Sequence, residues 1–147
     1  MLKNRLRQLS ELSLLQWWII LVALFTLPVI ALSLKLSGFK QTKNRMSRLI
    51  PGGIDGISAS EDDLARAQLI SRAVGIAGNH GVYHANCLKQ SLLTWWLLGR
   101  RGIMVDLKIG VDKDTEDFNA HAWVEYRGTV LVDATDIEDR FSAFGSR

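Results

Sequence analysis

An α+β domain carried behind an N-terminal apolar helix is the architecture this chain predicts. Helical spacing comes first and strand alternation last within residues 57–147, a continuous apolar run from Trp17 to Leu34 precedes both, and Pro51-Gly52-Gly53 punctuates the junction. Helices and strands that segregate along a chain point to an α+β arrangement and away from a parallel α/β sheet. The boundary falls after Gly56, giving a basic, apolar helical extension (1–56) and a second domain (57–147).

The extension earns its description from charge. The net charge is +3, but residues 1–60 hold eight Lys/Arg against Glu11 and Asp55, while residues 61–147 hold ten against thirteen acids. The basic part suits an anionic membrane surface or an acidic partner. It lacks the interleaved aromatics and motif spacing of a nucleic-acid site, so no nucleic acid is expected. Lys3, Arg5 and Arg7 lead into the apolar run, which is about long enough to cross a bilayer. A spanning or re-entrant helix, a signal peptide and a helix covered by protein are the competing readings. Leaving it in water would forgo about 1.5–3 kcal/mol for each larger side chain. The expectation is therefore docking on the 61–78 region together with a partner protein or membrane surface, with Pro28 kinking or interrupting the helix.

The second domain opens at Ser60-Glu-Asp-Asp63, a cap followed by acids in a first helical turn. Leu64, Ala67, Ile70, Val74 and Ala77 then recur at helical spacing up to Gly78. A second helix begins near Asn86 or Cys87 and closes at Gly99 to Gly102. Ile103 to Val111 alternates as a half-buried strand, and an acidic loop, Asp112 to Asp117, joins it to Asn119-Ala-His-Ala-Trp-Val-Glu-Tyr126, which a hairpin connects to Asp133. Trp17, Trp18, Trp95 and Trp96 read as packing or interface residues, Trp123 as a core residue or cleft wall, and Glu125 as a solvated charge at the strand end.

Chemistry gathers at Cys87, His121 and Asp133. Cys87 is the sole cysteine, which excludes an internal disulfide and the zinc sites built from three or four thiolates. His80 and His84 straddle Gly81 in what reads as a loop and make a poor metal pair. No metal or cofactor is assigned. A cysteine attacks as its thiolate, which a helix N-terminus and an imidazolium both favour. His121 would take the thiol proton and return it to the leaving amine, Asp133 would orient the ring, and the Cys87 N–H would serve the oxyanion, with Asn86 or another upstream group as second donor. The hairpin register decides whether His121 can meet Asp133. A two-residue turn at Arg127-Gly128 sets Ala122 opposite Asp133, whereas a three-residue loop, Tyr126-Arg127-Gly128, pairs Glu125 with Thr129, Trp123 with Leu131 and His121 with Asp133. The three-residue loop is the register expected.

Cys87-Leu88, the helix end Leu97-Leu-Gly-Arg-Arg-Gly-Ile103, the strand Leu107-Lys-Ile-Gly-Val111, and Ala120-His-Ala-Trp-Val-Glu125 followed by Gly128 and Val132-Asp133 together resemble the transglutaminase-like cysteine peptidases of lasso peptide biosynthesis. The similarity covers roughly residues 61 to 136. It implies a papain- or transglutaminase-like core, places nucleophile, base and orienting acid at Cys87, His121 and Asp133, and implies leader removal from a ribosomal precursor peptide before a separate ATP-dependent cyclase closes the macrolactam. The short extension resembles the split type, which relies on a separate leader-recognition protein. The partners implied are the precursor, that recognition protein and the cyclase. The location expected is the reducing cytoplasm, with membrane association through 17–34 left open. Two other functions compete: acyl transfer or deamidation on the same thioester, and a non-catalytic membrane or assembly subunit.

Overall fold

Ser13 opens the first described element by capping it in both directions. Its hydroxyl accepts from the Gln16 amide at 3.3 Å, and the Gln16 side chain accepts from the Ser13 amide at 2.9 Å, which satisfies two donors that the helix leaves unpaired. The computed structural model describes residues 13–51, 61–80, 86–112 and 119–131. They form α1 (Leu14–Arg48), α2 (Glu61–His80), α3 (Cys87–Arg100), β1 (Asp106–Asp112), β2 (Asn119–Tyr126) and β3 (Thr129–Val130). The helices-then-strands order predicted from sequence is the one observed.

α1 is two helices in one. Its backbone remains helical through Pro28 and breaks at Gly38, where φ is 76°. Ser33 and Thr42 hydroxyls lie 2.9 Å apart across the break, although nine residues of unbroken helix would separate them by about 13.5 Å. The chain folds back on itself at the one residue that can take this conformation without a Cβ clash. Pro28 was expected to interrupt the helix and does not. It sits on an exposed face, while Ile19, Ala23, Leu27 and Ile30 are buried to 3% or less on the opposite face, so packing overrides the lost hydrogen bond.

That buried face docks on α2 and α3, as expected for the 61–78 region. Ala67, Ile70, Val74 and Ala77 of α2 and Leu92, Leu93, Leu97 and Leu98 of α3 complete the helical part of the core. Met46 and Thr42 bring in the returning limb of α1, so the extension and the second domain share one core. Ala122, Val124 and Tyr126, on one face of β2, close it from the sheet side.

The sheet is antiparallel in the order β1-β2-β3. Gly110 lies opposite His121, Lys108 opposite Trp123 and Asp106 opposite Glu125, while Leu107 and Ile109 pair with the inward-facing set. The second hairpin corrects the expected register. Tyr126 pairs with Thr129 and Glu125 with Val130, the two-residue turn. Arg127 and Gly128 both have positive φ, 51° and 82°, the signature of a type I′ turn whose twist matches that of its strands. Burial explains the choice. Leu131 is 6% exposed and its amide bonds the Val124 carbonyl at 2.9 Å, which puts Leu131 on the core face. A three-residue loop would set it opposite Trp123, on the outer face, and a one-residue slip reverses every side chain.

Candidate active site

Cys87 is the first residue of α3, half-buried, with Asn86 as its cap. The Asn86 side-chain oxygen accepts from the Lys89 amide at 3.3 Å, and its backbone carbonyl accepts from Lys89 and Gln90. Asn86 thus begins the helix, and its carboxamide oxygen is committed to that task. The amides of Cys87 and Leu88 have no carbonyl one turn earlier within the helix, so they point out of its end as donors for an anion.

One helical turn on, Ser91 fixes where that end lies. Its side chain is buried to 1% exposure and its hydroxyl donates to the Ala122 carbonyl at 2.9 Å, tying α3 to the residue directly after His121. Cys87 and Ser91 are four apart and share a helix face. The other end of α3 runs into Gly102 and Ile103, which line one cleft with Tyr126 and Arg127 at the far end of β2. Helix and strand therefore run in the same direction, and stepping back from Ser91 to Cys87, about 6 Å, advances toward the start of β2 by about two strand residues. This brings the thiol's turn level with the His121 end of the strand.

His121 projects from the face of β2 that carries Trp123 and Glu125. Its Nε2 atom is enclosed, and burial holds the imidazole below its ordinary pKa, which favours the neutral ring that can accept a proton. Trp123 stacks beside it, with ring centroids 6.2 Å apart and planes inclined by 22°. The indole N–H donates to Glu125 Oε1 at 2.7 Å. Glu125 is therefore half-buried and anchors Trp123, where sequence reading expected a solvated strand-end charge. Trp123 also lies across Gly110, where any Cβ would meet the ring at 2.9 Å. The missing side chain opposite His121 gives the indole its seat, beside the imidazole on that face of the sheet.

Asp133, the third residue of the predicted triad, lies outside the described residues. The three-residue loop expected to bring it to His121 is not the turn that joins β2 and β3. The observed register, continued straight, would set Asp133 opposite Ala122, on the other face of the strand. The ladder is short, however, and the Ala122 carbonyl that a continued ladder would use takes the Ser91 hydroxyl. Of the pair weighed for metal, His84 also lies outside the described residues; among the described ones, no three His, Cys, Asp or Glu gather as an ion would require. The remaining tryptophans divide as packing and surface. Trp95 and Trp96 pack against the core under Lys43 and Arg100, 5.5 and 5.0 Å from the ring centres, and Trp17 and Trp18 are 44% and 55% exposed.

Ser91 and the Trp123–Glu125 link were missed from sequence. A lone serine inside a leucine-rich helix, four residues after the candidate nucleophile, is the signal that could have found the first. Nothing in the alternation of β2 marked the second.

A cysteine at a helix start, on a helix that packs against an antiparallel sheet carrying a histidine, is the α+β arrangement found here, and the comparisons give its family. Residues 30–145 match the model of the Transglutaminase-like superfamily, and the chain belongs to it. The chain is also 32% identical over 85 residues, 58% of its length, to the microcin J25-processing protein McjB of Escherichia coli, of which those residues span 39%. No solved structure matches.

Proposed function

We propose that this protein is a cysteine peptidase of lasso peptide maturation, which removes the leader from a ribosomal precursor peptide. The observation that carries the reading is the Ser91–Ala122 bond, which sets the turn of Cys87 beside the strand of His121. The partial identity to a protein that processes microcin J25 supplies the substrate class.

In the proposed reaction His121 takes the Cys87 proton as the sulfur attacks the scissile carbonyl carbon. The carbonyl oxygen becomes an oxyanion that the amides at the start of α3 receive. The imidazolium gives its proton to the departing amine, leaving a thioester. Water, deprotonated by His121, then attacks the thioester and releases the leader acid and the thiol. Asp133 is proposed to orient the ring, which requires the chain to leave the β3 ladder after Leu131, as a bulge of one residue would allow. The freed amine is the group a separate cyclase would join to an acidic side chain. A separate leader-recognition protein delivers the precursor, and the free thiol suits the reducing cytoplasm.

Intact masses of the products decide the chemistry. Incubation with a precursor and its recognition protein should yield leader and core whose masses sum to the precursor plus one water. A deamidated precursor of unchanged length would replace peptide-bond cleavage with side-chain hydrolysis, and an amine-linked adduct would replace it with acyl transfer. An unaltered precursor would favour a non-catalytic subunit.

A further inference from the structure

We infer that the outer face of α1 is a lipid-docking surface, and that the protein lies on an anionic membrane without spanning it. Trp18, Leu21, Phe25, Val29, Leu32 and Leu36 are each 52–75% exposed. At 100° per residue they fall in one stripe on the side of α1 away from Ile19, Ala23, Leu27 and Ile30. The most apolar 18-residue window of α1 has only 22% of its residues buried within the chain, so one face of the helix enters the core and the rest of it is left uncovered.

Three observations select lipid as the occupant. First, every exposed side chain from residue 14 to 34 is apolar. The polar ones in that stretch are bonded within the chain: Gln16 to the Ser13 amide, Thr26 to the Val22 carbonyl at 2.7 Å, and Ser33 with Thr42. Apart from the indole N–H groups of Trp17 and Trp18 at one end, where an interfacial aromatic would meet headgroups, the exposed side chains of this stretch bring no hydrogen-bonding group to hydrocarbon. A helix–helix seam would instead carry flanking charges, and a protein interface a polar rim. Second, the charge is complementary to anionic headgroups. No acid occurs between Glu11 and Asp55, and Lys35, Lys40, Arg45 and Arg48, all exposed, follow the stripe. Third, Arg101 sits over the Trp18 ring at 5.8 Å, placing a cation and an interfacial aromatic together at the other end. Spanning is excluded by the opposite face, since α1 packs on α2, whose exposed Asp62, Arg66 and Arg72 would be carried into hydrocarbon.

The inference is independent of the peptidase reading, because vesicle binding registers no turnover. The full-length protein should float with vesicles of phosphatidylcholine and phosphatidylglycerol, more weakly with phosphatidylcholine alone, and less in high salt. The double variant Phe25→Asp/Leu32→Asp should retain the wild-type circular dichroism, since both positions are exposed, and lose vesicle affinity by more than about tenfold. In a Cys87→Ser background, nitroxides at Trp18→Cys, Phe25→Cys and Leu36→Cys should report similar, shallow depths. A profile deepest at position 25 would mean a span. A protein that ignores vesicles and self-associates through this face in solution would mean a second copy covers it. Either result overturns the inference.

Discussion

Under the proposed reaction Ser91 acts through position, because its hydroxyl ties the helix of Cys87 to the strand of His121. Ser91→Ala would leave the Ala122 carbonyl without that donor in a buried place, a loss of about 1–3 kcal/mol. The expected outcome is a lower urea midpoint together with a fall in kcat larger than any change in KM, since alignment and not precursor binding is disturbed. A kcat unchanged in a destabilised variant would leave Ser91 only a structural part. His121 gives a second residue-scale prediction, through pH. Its folded pKa is depressed below 6.5 by burial, so between that value and 6.5 the unfolded chain binds more protons than the folded one. His121 therefore costs no stability above about pH 6.5, and stability falls as pH drops through 6.5 toward the folded pKa. Urea midpoints at pH 7.5 and 5.5 should differ more for wild type than for His121→Asn; equal differences would show that burial of this ring is not responsible. Cys87 and His121 were legible as candidates from residue type and position alone. The Trp123–Glu125 bond was not, because two half-buried residues on one strand face reveal their contact only once a glycine opposite makes room.

At the scale of elements, sequence placed both helices after Gly56 within a few residues, because the apolar spacing and the Asn86 and Gly78 boundaries agree. It misjudged the β2–β3 hairpin for a physical reason. An arginine at the first position of a type I′ turn is disfavoured by about 1–2 kcal/mol relative to a residue at home with positive φ. The three-residue loop avoided that cost, and Leu131 burial outweighed it. The Arg127 guanidinium over the Tyr126 ring, 5.9 Å from its centre, offsets part of the strain. Arg127→Asn should therefore stabilise the protein by up to about 1 kcal/mol, read as a raised urea midpoint with an unchanged slope. A lower midpoint would mean that the ring contact outweighs the backbone strain. Pro28 and Gly38 teach the same lesson: proline was the louder signal, yet the helix turns back at the glycine, where no packing opposes it.

For the whole molecule, the boundary after Gly56 that composition suggests does not divide the core. Ile19, Ala23, Leu27 and Ile30 lie against α2 and α3 with almost no exposure. Removing residues 1–34 should strip that cover and cost cooperative unfolding as well as activity. A truncated protein that melts sharply and works at full rate would contradict the shared core. The apolar run was visible in sequence, but its division into a buried and an exposed face was not, because both faces are apolar and leucine occupies both. The proposed dependence on a recognition protein also belongs at this scale. Cleavage should rise sharply when the cognate protein is added, through a higher effective concentration of the scissile bond. Equal rates with and without it would count against a split system.

The central claim is that Cys87 and His121 act as one nucleophilic pair at the junction of α3 and β2. It is tested most directly by leader release, followed by mass spectrometry with precursor and recognition protein present, for wild type, Cys87→Ala, His121→Ala and Asp133→Asn side by side. The account predicts no release by the first two variants, with wild-type circular dichroism, and a slow residual rate for the third, which loses orientation but keeps the nucleophile. Release at the wild-type rate by Cys87→Ala would contradict it.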